Sequence, residues 1–425
     1  MDTKKVIEII EKGDFDEKFV DIYVDEEQLE YQKKRYIQAI TMFEKYYQPG
    51  DVQIFSAPGR SEIGGNHTDH QHGKVLACAI NMDAIGVVKQ VEDEEIRIVS
   101  DDSEEIVIDI TDLSVCEEEK GSTVALVKGV LAGFSSREYE IGGFYAYITS
   151  DVLIGSGVSS SAAFETLIGA ILSGLYSKME VSPVEIAMVG QYAENVYFGK
   201  PCGLMDQMAC SVGNLVYIDF FNVDQPIIKK LDFDLEKHGY SLCITNTGGS
   251  HANLTDEYTA IPEEMKCVAN YFDKEVLVNV SEAEFLENIG NVRNILNDRC
   301  VLRAVHFFDE NKRVEKEVSA LKQGDVDLFL QHVKASGDSS YKYLQNVYSV
   351  KDVYHQNVSL ALALSESILG DAGVCRVHGG GFAGTIQAFV KNEEVKTYQK
   401  YMDRVFGDGS CSVMKIRKYG GIQVV

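Results

Sequence analysis

The chain has no tryptophan, only six prolines, and no two cysteines spaced C-x-x-C. Few prolines mean no Pro-rich linker to mark a domain boundary. Without C-x-x-C pairs, zinc ribbons and thioredoxin-type redox sites are disfavoured. The nine cysteines are scattered and read as reduced thiols, most of them small apolar core residues. No run approaches the ~20 apolar residues of a membrane span. The charged start MDTKKVIEIIEKGDFDEKF lacks the apolar core of a signal peptide, so a cytoplasmic protein is expected. Basic residues are also scarce: 40 Lys and Arg stand against 66 Asp and Glu, a net charge of −26. So acidic a surface repels nucleic acid and anionic lipid, and neither is expected as a partner. A phosphate ligand stays possible, because local amides and a cation hold it rather than the global field.

What is present is an ordinary globular composition, 45% hydrophobic and 25% charged over 425 residues. That length suggests two or three domains and a core that needs no staple. Residues 1–46 read as charged helix, with apolar positions at Val6, Ile9, Ile10, Ile37, Ile40 and Phe43; Gly50 ends this region. From Gln53 the pattern turns to strand: QIFSAPGR, KVLACAI, AIGVVKQV and EIRIVS, with another at 140–149. Residues 159–178 predict a helix, with serines at its start and Ala163, Leu167, Ile171 and Leu175 on one face. A second helix over 183–198 opens on Pro183. Strands are expected around LVYIDFF and YSLCITNT, helices from about 260 to 364, and strands again in RVHGGGFAGTIQAFV and CSVMKIRKYG. The change from βα-rich to helix-rich sequence near residue 235 sets the expected boundary.

Four segments carry polar chemistry. GSGVSSSAAFE, Gly155 to Glu165, places two glycines and three serines before a helix. Its free N–H groups and helix terminus suit an anion, and a serine hydroxyl suits Mg²⁺; the plain alternative is a Ser-rich N-cap. No G-x-x-x-x-G-K-[ST] occurs, and Ser160 stands where a Rossmann fingerprint needs glycine. SAPGRSEIGGNHTDHQHGKVLACAI, Ser56 to Ile80, crowds Arg60, Glu62, Asn66, His67, Asp69, His70 and His72 into what reads as a turn-rich run before a strand. It suits a ligand rich in hydroxyls, a metal, or an ordinary exposed loop, although its spacing fits no standard zinc pattern. AENVYFGKPCGLMDQMAC sets Asp206 among apolar and small residues, where a carboxylate pairs with a cation, does acid–base work or merely begins a helix. RVHGGGFAGTIQAFV puts a glycine cluster between two β runs, for close backbone approach or a hairpin loop; its G-x-G-x-x-G match at Gly379–Gly384 is followed by strand, not helix.

Together and in this order, the segments resemble the galactokinase family of the GHMP kinase superfamily, from about residue 30 onward. APGRSEIGGNHTDH resembles the sugar signature, GSGVSSSAAFE the phosphate loop, AENVYFGKPCGLMDQ the segment holding the catalytic aspartate, and GGGFAG the third glycine motif. DEYT and RAVHFFDEN are weaker echoes. The resemblance implies an α+β fold of two domains: a ribosomal S5 domain 2-like N-terminal domain (31–235) and a ferredoxin-like C-terminal domain (236–425). Residues 1–30 form a helical extension. It implies ATP and Mg²⁺, a small sugar as substrate, and a monomer or weak homo-oligomer. By position, Asp206 and Arg60 match the catalytic pair, and Gly155, Ser156, Gly157, Val158, Ser159, Ser160 and Ser161 the phosphate loop. Ser161 and Glu194 match the metal positions, and Asn66, His67, Asp69, Gly203 and Tyr258 the sugar-contacting ones.

Several positions depart from the family pattern. Asn66 stands for a glutamate, His70 for a tyrosine, Glu62 for an asparagine, Leu153 for a proline and Ala383 for a glycine. Any indole beside adenine is missing. The first two departures fall where sugar hydroxyls are expected. D-galactose is therefore read together with L-arabinose, N-acetylgalactosamine and a uronic acid as alternatives, and with a non-catalytic sugar sensor as a further one.

Overall fold

The computed structural model describes all residues except 102, 153–156, 250–253 and 383. Gly155 and Ser156, and the departures Leu153 and Ala383, thus lie outside the described residues. In chain order, the first half runs α1 (Thr3–Lys12), α2 (Asp16–Tyr23), α3 (Leu29–Tyr47), β1 (Gln53–Gly64), β2 (Lys74–Gln90), β3 (Glu95–Ser100), β4 (Ile106–Asp109), α4 (Thr123–Ser135), β5 (Phe144–Ser150), α5 (Ser160–Ser177), α6 (Pro183–Tyr192), α7 (Met205–Val212), β6 (Leu215–Asp219) and β7 (Ile227–Leu231). The second half runs β8 (Tyr240–Asn246), α8 (Thr255–Tyr271), α9 (Glu282–Ile295), α10 (Asp298–Gln323), α11 (Val326–Ser339), α12 (Asn357–Leu369), β9 (Gly373–His378), β10 (Thr385–Lys391), α13 (Val395–Phe406), β11 (Cys411–Met414) and β12 (Ile422–Gln423).

The first sheet is built on β2. One half of that 17-residue strand pairs with β6 and the other with β5, while β1 runs antiparallel along its length. β3 joins β5 in parallel, and β4, β7 and β12 complete eight strands. Alternation along each strand sends successive side chains to opposite faces. Ile54, Val87, Val99 and Tyr147 meet α1, α2 and α3 through Val6, Phe19, Tyr36, Ile40 and Phe43. Their neighbours Phe55, Val88, Ile98 and Ile148 meet α4, α5 and α6 through Leu131, Leu167 and Ile186. Residues 1–30 are therefore packed onto the sheet, with Val6, Phe19 and Tyr23 among the most buried side chains.

The second sheet is antiparallel, in the order β11–β8–β10–β9. Ile386, Ala388 and Val390 pack against α12 and α13, while Phe389 turns the other way onto Phe329 of α11. One core joins the two sheets, where Leu76, Cys78 and Ile80 of β2 cluster with Leu242, Ile244 and residues of α10. The chain passes from one sheet to the other between β7 and β8, and its last residues return, with β12 pairing to Phe55 and Ser56 of β1. We propose residue 235, within that passage, as the boundary between lobes. Among the described residues no helix is long and apolar enough to cross a membrane.

Three local expectations change. The turn-rich reading gives way to strand beyond the expected QIFSAPGR run: β1 continues to Gly64 and is buried from Ile54 onward. It is bulged at Pro58/Arg60 and Glu62/Gly64, and bulges re-aim side chains within a ladder. The expected helix over 183–198 is α-helical only to Tyr192 and continues as a π-helical turn, Ala193–Phe198. Ser159 is not a conventional cap: it sits at φ 61° and makes no side-chain bond to its own helix.

Candidate active site

Arg60 lies on the bulged part of β1, so its guanidinium leaves the ladder and meets Asp206 in the first turn of α7. Its Nε donates to Oδ1 at 2.7 Å and its Nη2 to Oδ2 at 2.8 Å, a bidentate fork. Its Nη1 donates to the carbonyl of Gly157 at 2.6 Å. The hydroxyl of Ser159 adds a third donor to Asp206, at 2.5 Å from Oδ2. Burial would push the Asp206 carboxyl up, but the charge and bonds of Arg60 outweigh it and hold the group at about 2. A third of the side chain is exposed (33%), so the ionised carboxylate still faces open space.

The Gly157–Ser161 run is fitted closely to its surroundings. Gly157 has φ 75°, and a Cβ there would collide with the Thr385 hydroxyl. The amide of Arg60 donates to the carbonyl of Val158 at 3.1 Å. The third glycine motif forms the β9–β10 hairpin. Gly379 lies near enough that a Cβ on it would be 3.8 Å from the Gly157 carbonyl and 3.9 Å from Nη2 of Arg60. Three segments far apart in sequence therefore converge on one carboxylate.

Beside them the π turn presents Glu194, whose side chain is 4% exposed. Its Oε1 accepts from Ser161 at 3.3 Å and from Lys200 at 3.0 Å, and its Oε2 from Gln207 at 2.9 Å. Gln207 also donates to Glu165 at 3.1 Å, so one amide bridges two carboxyl groups. Burial, and then the nearby Glu194 charge, push the Glu165 carboxyl well above its usual range. Oε1 of Glu165 and Oε1 of Gln207 are buried without a partner. Oxygen donors of this kind suit a hard divalent cation that keeps phosphate and water ligands. Among the described residues no cluster of three or more His, Cys, Asp or Glu could enclose a metal by itself.

The turn after β1 carries the expected sugar-contacting residues. His67 sits at φ 58° with Nε2 on the carbonyl of Gly380 at 3.2 Å. Burial, with His70 beside it, lowers its pKa to about 3, so the ring is neutral. Asp69 abuts Gly203, three residues before Asp206, so closely that a Cβ on Gly203 would strike Oδ2. Tyr258 of α8 donates to the carbonyl of Gly381 at 2.8 Å and packs edge-on against Phe382. Asn66 differs from these: it has no exposed surface. Its amide donates to Glu62 at 3.1 Å and to the carbonyl of Gly379 at 2.7 Å, and accepts from Asn346 at 2.8 Å and Ser340 at 3.2 Å. Its hydrogen-bonding groups are spent inside the protein, which sets it behind the turn rather than on an open wall.

Sequence reasoning missed Glu165, Gln207 and Lys200 as partners of Glu194, although each lay inside a segment it had singled out. It also missed His378, which bonds Ser61 at 3.1 Å and Thr385 at 2.9 Å directly behind the Arg60 strand. The signal for His378 was its place one residue before the glycine cluster.

Known proteins share both sequence and fold with this chain. Residues 41–90 match the galactokinase galactose-binding signature, and residues 125–214 the GHMP kinases N terminal domain. The chain is 32% identical to a galactokinase of Glaesserella parasuis over 368 residues, covering 85% of this chain and 91% of that one. It is 31% identical to a galactokinase of Actinobacillus pleuropneumoniae serotype 3 over 379 residues, covering 87% and 92%. Among solved structures, Lactococcus lactis galactokinase complexed with galactose superposes with a TM-score of 0.77 at 24% identity, over 90% of this chain and 98% of that one. A mevalonate kinase superposes at 0.60 and 17% identity, over 86% and 99%. The two-sheet α+β architecture is thus the GHMP kinase fold, and the chain belongs to the galactokinase family.

Proposed function

We propose that this protein transfers the γ-phosphoryl group of ATP to the anomeric hydroxyl of D-galactose, giving galactose 1-phosphate and ADP. The observation that carries this reading is the Arg60 fork, which holds one carboxylate ionised and grips the Gly157 carbonyl with the same guanidinium. Phosphoryl transfer needs an acceptor hydroxyl in line with the phosphorus and neutralisation of charge that spreads over the phosphoryl oxygens. Asp206 orients that hydroxyl. With its pKa held at about 2 it is a weak base, so it accepts the proton only as the oxygen–phosphorus bond forms. Arg60 stabilises the developing charge. The backbone amides of 155–161 are assigned to the triphosphate.

Ser161 and Glu194 are the residues we assign to Mg²⁺, with Glu165 and Gln207 orienting them. Held there, such an ion would supply positive charge to offset that of the phosphates. Lys200, whose side chain is 63% exposed, can swing away from Glu194 to admit it. His67, Asp69, Gly203 and Tyr258 are assigned to the sugar, and Asn66 to holding the turn that carries them. Neutral His67 and ionisable Asp69 offer hydrogen bonds that an epimer leaves unpaired, and that is the basis of selectivity.

The test is a coupled ADP-release screen over D-galactose, L-arabinose, N-acetylgalactosamine and galacturonate, with Asp206→Ala alongside. Turnover highest with galactose and lost in Asp206→Ala is the expected result. Near-normal turnover in the variant would sink the mechanism, preference for another sugar would replace the substrate, and no ADP release with any sugar would leave a sugar sensor.

A further inference from the structure

We infer that His306, Glu310 and Asn311 of α10 are positioning residues for the sugar: bonded to the backbone at both ends of the turn between β1 and β2, they set where His67 and Asp69 stand. The inference rests on reading that turn as the sugar site. His306 Nε2 donates to the carbonyl of Asn66 at 2.9 Å. A carbonyl only accepts, so Nε2 carries the proton, and Nδ1 accepts from the hydroxyl of Ser339 at 2.9 Å. Burial lowers the pKa of the ring, which keeps this neutral tautomer. One helical turn on, Glu310 Oε1 accepts from the amide of Gly65 at 3.0 Å and from the Ser336 hydroxyl at 2.5 Å, while Oε2 pairs with Arg313. Asn311 Oδ1 accepts from the amide of Lys74 at 2.6 Å, and its Nδ2 donates to the Phe307 carbonyl of its own helix at 2.9 Å. His306 and Glu310 have no exposed surface.

β1 pairs with β2 only as far as Gly64, so the ladder cannot take up the backbone groups at 65 and 66. Buried backbone groups need partners, and α10 supplies them from polar side chains rather than presenting an apolar face. Apolar residues of similar volume often stabilise a core as well as buried ions do; what the polar ones add is direction. The turn has little slack. Gly65 sits at φ 90°, and a Cβ on it would stand 2.5 Å from the Lys74 carbonyl. The amide of Thr68 donates to the Gly65 carbonyl at 3.1 Å, and that of Gly73 to the Thr68 carbonyl at 2.9 Å. His67 and Asp69 lie between the anchored ends, and Asp69 already abuts Gly203 on the approach to α7. A shift of the anchored backbone is therefore carried to both side chains, and misplacement by about 1 Å costs on the order of 100-fold in rate. The turn leaves the first sheet, yet a helix of the second half of the chain aims it. Residues that need not touch the sugar set its affinity.

The experiment uses the full chain with His306→Leu, His306→Gln, Asn311→Ala and, as a control on the site itself, Asp69→Ala. Readouts are galactose affinity by calorimetry and separate KM values for galactose and ATP. His306→Leu leaves the Asn66 carbonyl unpaired and is expected to raise galactose KM by about 10- to 100-fold, with ATP KM within about 2-fold of the unmodified protein. His306→Gln restores a donor near the Nε2 position and should bring galactose KM back to within about 3-fold. Asn311→Ala, at a half-buried site, should raise galactose KM by about 3- to 10-fold. If His306→Leu fails to fold, Asn311→Ala decides. Unchanged galactose KM in the folded variants, galactose and ATP KM rising together, or no recovery with His306→Gln overturns the positioning role. Galactose affinity unchanged in Asp69→Ala overturns instead the sugar-site reading beneath it.

Discussion

Ser159 gives its hydroxyl to Asp206 at 2.5 Å, 47 positions away, and leaves the helix it precedes without a side-chain cap. A serine before a helix ordinarily stabilises that helix by about 1 kcal/mol. Here the hydroxyl is committed to the Asp206 carboxylate, and the backbone sits at φ 61°. Ser159→Gly suits that backbone and removes only the donor. Stability should therefore change by less than about 1 kcal/mol. The same variant should lower kcat by about 3- to 10-fold, since one neutral hydrogen bond to Asp206 is lost. Thermal unfolding and steady-state kinetics on one preparation check both; a large loss of stability with intact kcat would return Ser159 to a capping role.

Arg60 decides the ionisation of Asp206. Burial favours the neutral acid, and the guanidinium reverses that preference and brings the group to about 2. In the unmodified protein Asp206 is ionised throughout the neutral and mildly acid range, so it contributes no fall in kcat above about pH 3. Arg60→Met removes the opposing charge, and burial then raises the carboxyl. With the carboxylate as the proposed active form, the acid limb of the kcat profile should move upward in pH. At neutral pH kcat should fall by about 10²- to 10⁴-fold. A kcat–pH profile of the variant checks this, and an acid limb left in place would mean that something other than Arg60 keeps Asp206 charged.

Much of this site could be read from the chain, and the reasons differ by segment. Gly157, Ser159 and Asp206 were legible because glycine–serine runs and lone carboxylates among apolar residues are chemically conspicuous. The strand character of 61–64 was hidden because its glutamate and glycine mimic a loop; the bulges at Pro58/Arg60 and Glu62/Gly64 re-aim side chains within that ladder. The role of α1 to α3 was hidden too. Amphipathic spacing showed that Val6 and Ile40 are inward, but nothing in it could show that Arg35 reaches through to Asp83 and Asp151. Pairings across more than 40 residues leave no local periodicity to read.

Gly203 illustrates a constraint set by a neighbour. Asp69 lies against it so closely that any side chain must displace the carboxylate. Gly203→Ala should move Asp69 and leave the Arg60–Asp206 fork in place. Galactose KM is expected to rise by about 10- to 100-fold, with the ATP KM little altered. Steady-state kinetics with each substrate varied separately is the check, and an equal rise in both KM values would show that the whole α7 start had shifted.

Asn66 is one of the positions where this chain departs from the family pattern, and placing a glutamate there tests what the asparagine does. If residue 66 faced the sugar, Asn66→Glu would change sugar preference at little structural cost. The geometry argues otherwise. The Asn66 amide nitrogen sits 3.1 Å from a Glu62 oxygen and 2.7 Å from the Gly379 carbonyl, both acceptors. A glutamate offers neither of them a proton when ionised and brings a second buried negative charge beside Glu62, whose partner is Arg376 at 2.6 Å. The variant should lose about 2–4 kcal/mol of stability at neutral pH. Because the penalty belongs to the ionised form, it should shrink as pH falls and the new carboxyl takes up a proton. Denaturant unfolding at pH 5 and pH 8 checks the size and the sign of that dependence. Unchanged stability with a new sugar preference would place residue 66 on the pocket wall after all.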